Sequence, residues 1–445
     1  MKKIAKFLIV LGMMGQLSSC DYLDIVPDER AQESDTWKTE GAVRGYLYSC
    51  YGYLPANRTF GNSYWLAEEL TAVTKELFTT FKYGYYSPVS LGFTSNTWST
   101  IWNGIHQCYM FQESLKQVSN EYVTDEMKKQ YLAESNFLIA YYHFLSMRSY
   151  GPTMIIRSVI DLETPISGFP ERSSIDEVVA FINEKLDEAM SEGGLPTTWS
   201  GKDYGRATRL AALALKSRVY LYAASPLYNG NTEMYADFRS PLDGRQLIAQ
   251  EKSQAKWEIS ATQTKYAIDE VEKAKFHLYH DADAGEPSDA KPGLPNKAQR
   301  RLRYTNIDNQ TGNNPEIIWA DTRNDDYYGI QRRCPPRQTL GGKFAGISMT
   351  NCPTLQTIEA FYTKNGLPIN KDKTFDYDER YEYISAPENC DGNNYEDLVK
   401  YANFTPSSDK VMRLCTDREP RFYAWTTYHL SLIHISEPTR PISIS

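Results

Sequence analysis

At 445 residues, 41% hydrophobic and 23% charged, the chain has the length and balance of one large or two ordinary globular domains. The formal net charge of −8 becomes more negative still without Lys2, Lys3 and Lys6, and no basic stripe runs along the chain, which argues against nucleic acid as a partner. The 33 tyrosines suit wet, ligand-facing surfaces as well as helix packing, because each offers a flat apolar face with a polar tip.

Residues 1–19 read as a secretory leader: a basic start, an apolar run from Phe7 to Met14 too short to span a bilayer, and Leu17-Ser18-Ser19 directly before Cys20. The small residues ahead of the cysteine resemble a bacterial lipobox. They predict cleavage before Cys20 and attachment of diacylglycerol and fatty acyl chains such as palmitate there, which would anchor a soluble body at a membrane surface. Residues 20–38 read as the tether.

From Thr39 to Leu54 the spacing of Val43, Leu47, Cys50 and Tyr51 predicts a first helix. The loop Lys82-Tyr83-Gly84-Tyr85-Tyr86-Ser87-Pro88 follows. Trp98, Ile101, Trp102, Ile105, Cys108 and Tyr109 step at helical spacing, and their tryptophans read as core rather than ligand platform. Thr124 is placed to cap a central helix that Gly151-Pro152 ends. On it Ala133, Phe137, Ala140, Tyr141, Phe144 and Arg148 give one face of alternating small and aromatic residues, fit for close helix approach. Ser174-Ile175-Asp176-Glu177 is a capping box opening another helix, closed by Gly193-Gly194. Gly205 to Ala224 and Ser253 to Phe276 complete the helical run. Their irregular spacing predicts degenerate tetratricopeptide-like hairpins, each burying its face on the next. Beyond Phe276 the chain turns loop-rich, with Glu316-Ile317-Ile318-Trp319 expected as a short buried strand and Thr354 to Tyr362 as the clearest helix. The organisation expected is therefore mainly α, with a helical part over 39–280 and a loop-rich part with short strands over 281–429.

Ala133-Glu134-x-x-Phe137-Leu138-x-Ala140-Tyr141-Tyr142-x-Phe144, ending at Tyr150-Gly151-Pro152, resembles a signature of the SusD/RagB family of Bacteroidetes outer-membrane lipoproteins. So do Gly205-Arg206-Ala207-Thr208 with Ala214 to Tyr222, Pro353-Thr354 to Phe361, the Asn365-Gly366-Leu367-Pro368-Ile369 turn, and Arg418-Glu419-Pro420-Arg421-Phe422-Tyr423. All five occur in the family's order. The resemblance implies a SusD-like α superhelix without catalytic activity, and the residues offer no motif for a cofactor or a metal. It also implies a surface-facing, outer-membrane location through the lipid on Cys20, capture of glycan, and delivery to a SusC-like TonB-dependent transporter. A RagB-like protein would capture peptide instead, and a secreted glycoside hydrolase is the reading from another class.

Six cysteines remain beyond Cys20, with no CxxC spacing. Cys334 with Cys352 and Cys390 with Cys415 are candidate pairs, the alternative being buried free thiols. His277-x-x-His280 lacks the intervening Glu of a zinc protease and reads as a surface pair. A glycan platform needs exposed aromatics on loops beside polar groups. Tyr83, Tyr85 and Tyr86 answer to that description, as do Tyr327 and Tyr328 with Asn324, Asp326 and Arg332. Residues from Leu430 to Arg440 resemble the translation of a sequencing-library adapter, so 430–445 is expected to be a non-native tail lacking stable packing, with the natural chain continuing differently beyond His429.

Overall fold

A computed structural model describes residues 37–55, 69–72, 87, 93–161, 163–280, 298–299, 301–302, 305, 314–323, 351–385 and 410–426. Among the described residues the fold is helix-dominated, with few short strands and no closed sheet. Helix α1 (Glu40–Tyr51) begins where the Thr39 hydroxyl accepts the Ala42 amide, and it buries the Val43, Leu47 and Cys50 stripe read from the sequence. Helix α2 (Phe93–Leu115) buries Ile101, Ile105, Cys108, Tyr109 and Phe111. Its Trp98 and Trp102 lie in the seam with the next helix, edge-on to Tyr150 and His143.

Helix α3 (Asp125–Tyr150) starts at the Thr124 cap and stops at Gly151, whose φ of 72° returns its amide to the Met147 carbonyl. From Ala133 to Met147 every residue but Tyr141 is buried. The sequence suggested one small-and-aromatic face; instead the helix is wrapped on all sides, as befits the centre of an array. Close approach is visible at Gly104 of α2, where a Cβ would lie 2.7 Å from the Tyr142 ring.

Helix α4 (Ile175–Ala189) has the full capping box, with the Ser174 hydroxyl accepting from the Glu177 amide and the Glu177 carboxylate accepting from the Ser174 amide. Helix α5 (Arg209–Ala224) starts four residues later than the pattern suggested. Gly205 sits at φ 97°, Arg206 and Ala207 are held by tertiary bonds, and Thr208 is the cap. After the one-turn α6 (Thr232–Tyr235), helix α7 (Gln254–Lys273) ends short of Phe276 because Lys275 adopts φ 70°. Six of these helices exceed ten residues. Paired contacts show successive neighbours running antiparallel: Trp98 meets Tyr150 while Cys108 meets Ser135. His143 meets Phe181 while Ala133 meets Gly194. Arg209 meets Met190 while Lys216 meets Asp187, and Asn229 meets Ser253 while Arg209 meets Tyr266.

Glu316 to Trp319 is not a buried strand. Asn314 takes the Glu316 amide with its side chain and the Ile317 amide with its carbonyl, so the segment turns, and it docks on the end of α7 through His277 and Tyr279. Strand β1 (Leu70–Ala72) pairs antiparallel with β4 (Asn351–Pro353), β2 (Thr153–Met154) with β3 (Arg172–Ser173), and β5 (Tyr383–Ser385) with β6 (Lys410–Met412). Helices α8 (Leu355–Ala360) and α9 (Pro420–Trp425) flank small clusters around Ile369, Phe375 and Leu414 and around Val411, Phe422 and Tyr423. Polar hubs do much of the work there. Buried Arg418 donates to the carbonyls of Leu414, Ile358, Phe361 and Tyr362. Asp372 accepts from Thr363, Thr374 and Asn365, which hold its carboxyl below the usual carboxylate range.

Cys50, Cys108, Cys352 and Cys415 stand as free thiols in this structure, the first two buried and the other two half-buried. Burial pushes the Cys415 thiol up to about 11. The proposed partners Cys334 and Cys390 lie outside the described residues, as do the leader, Cys20, the tether up to residue 36 and the tail from 430.

Candidate functional site

The family-like motif Gly205-Arg206-Ala207-Thr208 turns into the start of α5 rather than joining it, which frees the Arg206 side chain to reach the centre of the array. Its guanidinium binds Glu134 of α3 bidentately, through Nη2 to Oε1 and Nε to Oε2, and Nη1 holds Asp203 at 2.7 Å. The Tyr51 hydroxyl at the end of α1 donates to Glu134 Oε2 at 2.6 Å and accepts the Ala207 amide at 2.9 Å. Arg206 also lies 4.1 Å over the Trp199 ring. Burial opposes the Arg206 cation, yet its bonds to Glu134 and Asp203 outweigh that and hold it protonated. Burial likewise pushes the Glu134 carboxyl upward against the pull of Arg206 and Tyr51. Every polar atom of this ion pair is spent inside the protein, which makes it a structural floor rather than a reacting group.

Above that floor opens a pocket of about 470 Å³, within the roughly 300–1,000 Å³ of small-molecule sites. Tyr48, Tyr141, Tyr204 and Trp319 are its aromatic walls, and Lys202, Asp321, Thr322 and Arg323 its polar edge. Trp319 is fixed by its Nε1–H to the Gly205 carbonyl at 2.8 Å and stands edge-on to Phe137 and Tyr141. Gly205 is required here, since a Cβ would lie 2.8 Å from Thr322 at a φ reserved for glycine. Arg323 donates to the Leu54 and Pro55 carbonyls at 2.7 and 2.8 Å while Asp321 neutralises it, which ties the 314–323 segment to the end of α1. Flat apolar rings beside hydrogen-bonding groups can stack on one face of a ligand and bond its edges.

The site residues expected from the sequence, Tyr83, Tyr85, Tyr86, Asn324, Asp326, Tyr327, Tyr328 and Arg332, all lie outside the described residues. Asn324 directly follows Arg323 of the pocket edge. The pocket's own Tyr48, Tyr141, Tyr204 and Trp319 carry no ligand signal in the sequence. The pattern around Trp319 reads as a buried strand, and only the Gly205-Arg206 motif points to this place. His277 and His280 stack on each other, and among the described residues no group of three or more His, Cys, Asp or Glu could hold a metal.

A family model described as "Starch-binding associating with outer membrane" matches residues 21–221, and one described as "SusD family" matches residues 315–436. The chain belongs to the SusD/RagB family. This SusD/RagB chain is similar to the solved protein BT4246, with a TM-score of 0.69 and 28% identity over 87% of the chain. It shares its fold with a SusD-like protein, BF3747, of Bacteroides fragilis NCTC 9343, with a TM-score of 0.57 and 20% identity over 88% of the chain. It spans 64% and 61% of the length of those two proteins. No curated protein matches it. Within the family match, α1, α3 and the Tyr204-Gly205-Arg206 stretch fall in the first matched region, and Trp319 to Arg323 in the second.

Proposed function

We propose that this SusD/RagB protein is a non-catalytic glycan-capturing lipoprotein, anchored through Cys20 at the outer-membrane surface and handing its ligand to a SusC-like TonB-dependent transporter. The observation that carries this reading is that the region matched by a starch-binding, outer-membrane family model also supplies most of an aromatic-walled pocket with a polar edge. Sugars offer flat C–H faces for rings such as Tyr48 and Trp319, and hydroxyls for groups such as Thr322. The Tyr83-Tyr85-Tyr86 and Tyr327-Tyr328 loops, with Asn324, Asp326 and Arg332, are the further contacts this reading assigns. Among the described residues no helix is long and apolar enough to cross a membrane.

Calorimetry of the purified chain against a panel of oligosaccharides and peptides tests the reading. Binding to at least one oligosaccharide without release of reducing ends is expected. Binding to peptides alone would favour the RagB-like cargo, and release of reducing ends would make the protein a hydrolase. Cys20→Ser should abolish incorporation of labelled palmitate, and co-purification with a SusC-like transporter should survive when the chain carries its leader.

A further inference from the structure

Two cysteines that the sequence leaves unrelated meet in the core. Cys50 is in the last turn of α1 and Cys108 in the middle of α2, and both side chains are fully buried. The Cys50 thiol donates to the Tyr46 carbonyl at 3.7 Å, and the Cys108 thiol is its neighbour in the same apolar core. Their backbones are pinned on both sides: the Tyr142 hydroxyl donates to the Cys50 carbonyl at 2.6 Å, and the Ser135 hydroxyl to the Cys108 carbonyl at 3.2 Å. The preceding pair, Ser49 and Gln107, is bridged by a side-chain bond of 2.9 Å across 58 residues of sequence. The two helices therefore meet in a register that brings residue 50 to residue 108. A buried cysteine packs as a small apolar residue, and two neighbouring thiols can in addition be closed by a covalent bond.

We propose that Cys50 and Cys108 form a disulfide as the chain folds under oxidising conditions, stapling α1 to α2 behind the wall that carries Tyr48 and Tyr51. The reaction is thiol–disulfide exchange: the thiolate of one cysteine attacks a disulfide of the oxidant and forms a mixed disulfide. The second cysteine then displaces the oxidant's remaining thiol, so two protein thiols lose two protons and two electrons and the oxidant leaves as two thiols. The bond must form before α2 and α3 close over the pair, because burial raises the Cys108 thiol well above its ordinary value and keeps oxidants out. Once closed, the link removes the freedom of a long loop from the unfolded chain, so its effect appears as stability rather than as a change of shape.

The test uses the full chain, reduced and unfolded in denaturant and then refolded with a mixture of oxidised and reduced glutathione. Free thiols are blocked with N-ethylmaleimide in denaturant, and the protein is digested without reductant and read by mass spectrometry. The expected result is a peptide joining Cys50 to Cys108 in most of the folded material, together with a melting temperature that falls by several degrees on adding dithiothreitol. The Cys50→Ala, Cys108→Ala double variant should lose that response. The peptide map is made on the unaltered chain and so does not depend on the variant folding. Recovery of both cysteines as maleimide adducts, or of either joined to a different cysteine, overturns the proposal.

Discussion

The helical array and the 351–426 stretch are held together by different physics. In the array, α3 is buried from Ala133 to Met147 apart from Tyr141, and its neighbours contribute Val43, Ile105, Phe181 and Val219 to one large apolar core. In the later stretch the apolar clusters are small, and order comes from Arg418 gathering four carbonyls and Asp372 gathering hydroxyl and amide donors. Short helices and turns leave many main-chain carbonyls without helical partners, and a single buried guanidinium can satisfy several of them at once. A core of the first kind weakens gradually as atoms are removed; a hub of the second kind orphans every partner together.

The sharpest way to break that contrast is the buried Arg206–Glu134 ion pair of the array. Arg206→Ala leaves the buried Glu134 carboxylate without its cation and should cost about 3–5 kcal/mol in denaturant unfolding, whereas replacing both residues by apolar ones of similar volume should cost much less. Equal losses for the single and double variants would mean that the pair acts through shape alone.

Acid titration tests the array's packing next. His143 is fully buried, with Nδ1 on the Ile139 carbonyl and Nε2 accepting the Ile156 amide, which fixes the neutral ring. Burial lowers its pKa to about 4, against about 6.5 when unfolded. The unfolded chain binds the proton first, so this contribution is complete above pH 6.5 and is lost as pH falls through 4, about 3 kcal/mol in all. His143→Gln should flatten that part of the stability–pH curve measured by calorimetry.

In the later stretch, Arg418→Ala should cost at least the penalty of one orphaned buried carbonyl, about 1–3 kcal/mol. It should open residues 351–426 to limited proteolysis while the array's own unfolding temperature holds. Cleavage of both regions together would show them to be one cooperative unit. Smallest is Ser174→Ala, which removes a helix cap and should cost about 1 kcal/mol by thermal unfolding, with no change in proteolysis of the later stretch.

Local signals were legible: the Thr124 and Ser174 caps, the Gly151 stop and the Val43, Leu47, Cys50 stripe stand where spacing and capping chemistry put them. What failed was decided at a distance. Gly205 to Thr208 looks helical until Arg206 is drawn to Glu134, and Glu316 to Trp319 looks like a strand until Asn314 claims its amides. Lys275 ended α7 early in a conformation that propensity disfavours for lysine. The pocket gathers residues near positions 50, 141, 204 and 320, and no periodicity links those stretches. The facing of Cys50 and Cys108 was hidden for the same reason, since only the α1–α2 register reveals it.

The pocket wall has one further property. Arg323 grips Leu54 and Pro55 by their main-chain carbonyls, and Trp319 grips Gly205 the same way. A bond to a carbonyl oxygen constrains only one of its two positions, because almost any residue supplies the acceptor. Among related sequences, then, residues 54 and 55 can drift without any compensating change at 323, and correlated substitution would give no hint that they touch. Directed evolution of the pocket inherits the same asymmetry: the side chains at 54 and 55 can be randomised to recut the mouth, while Arg323 must be left in place to hold it.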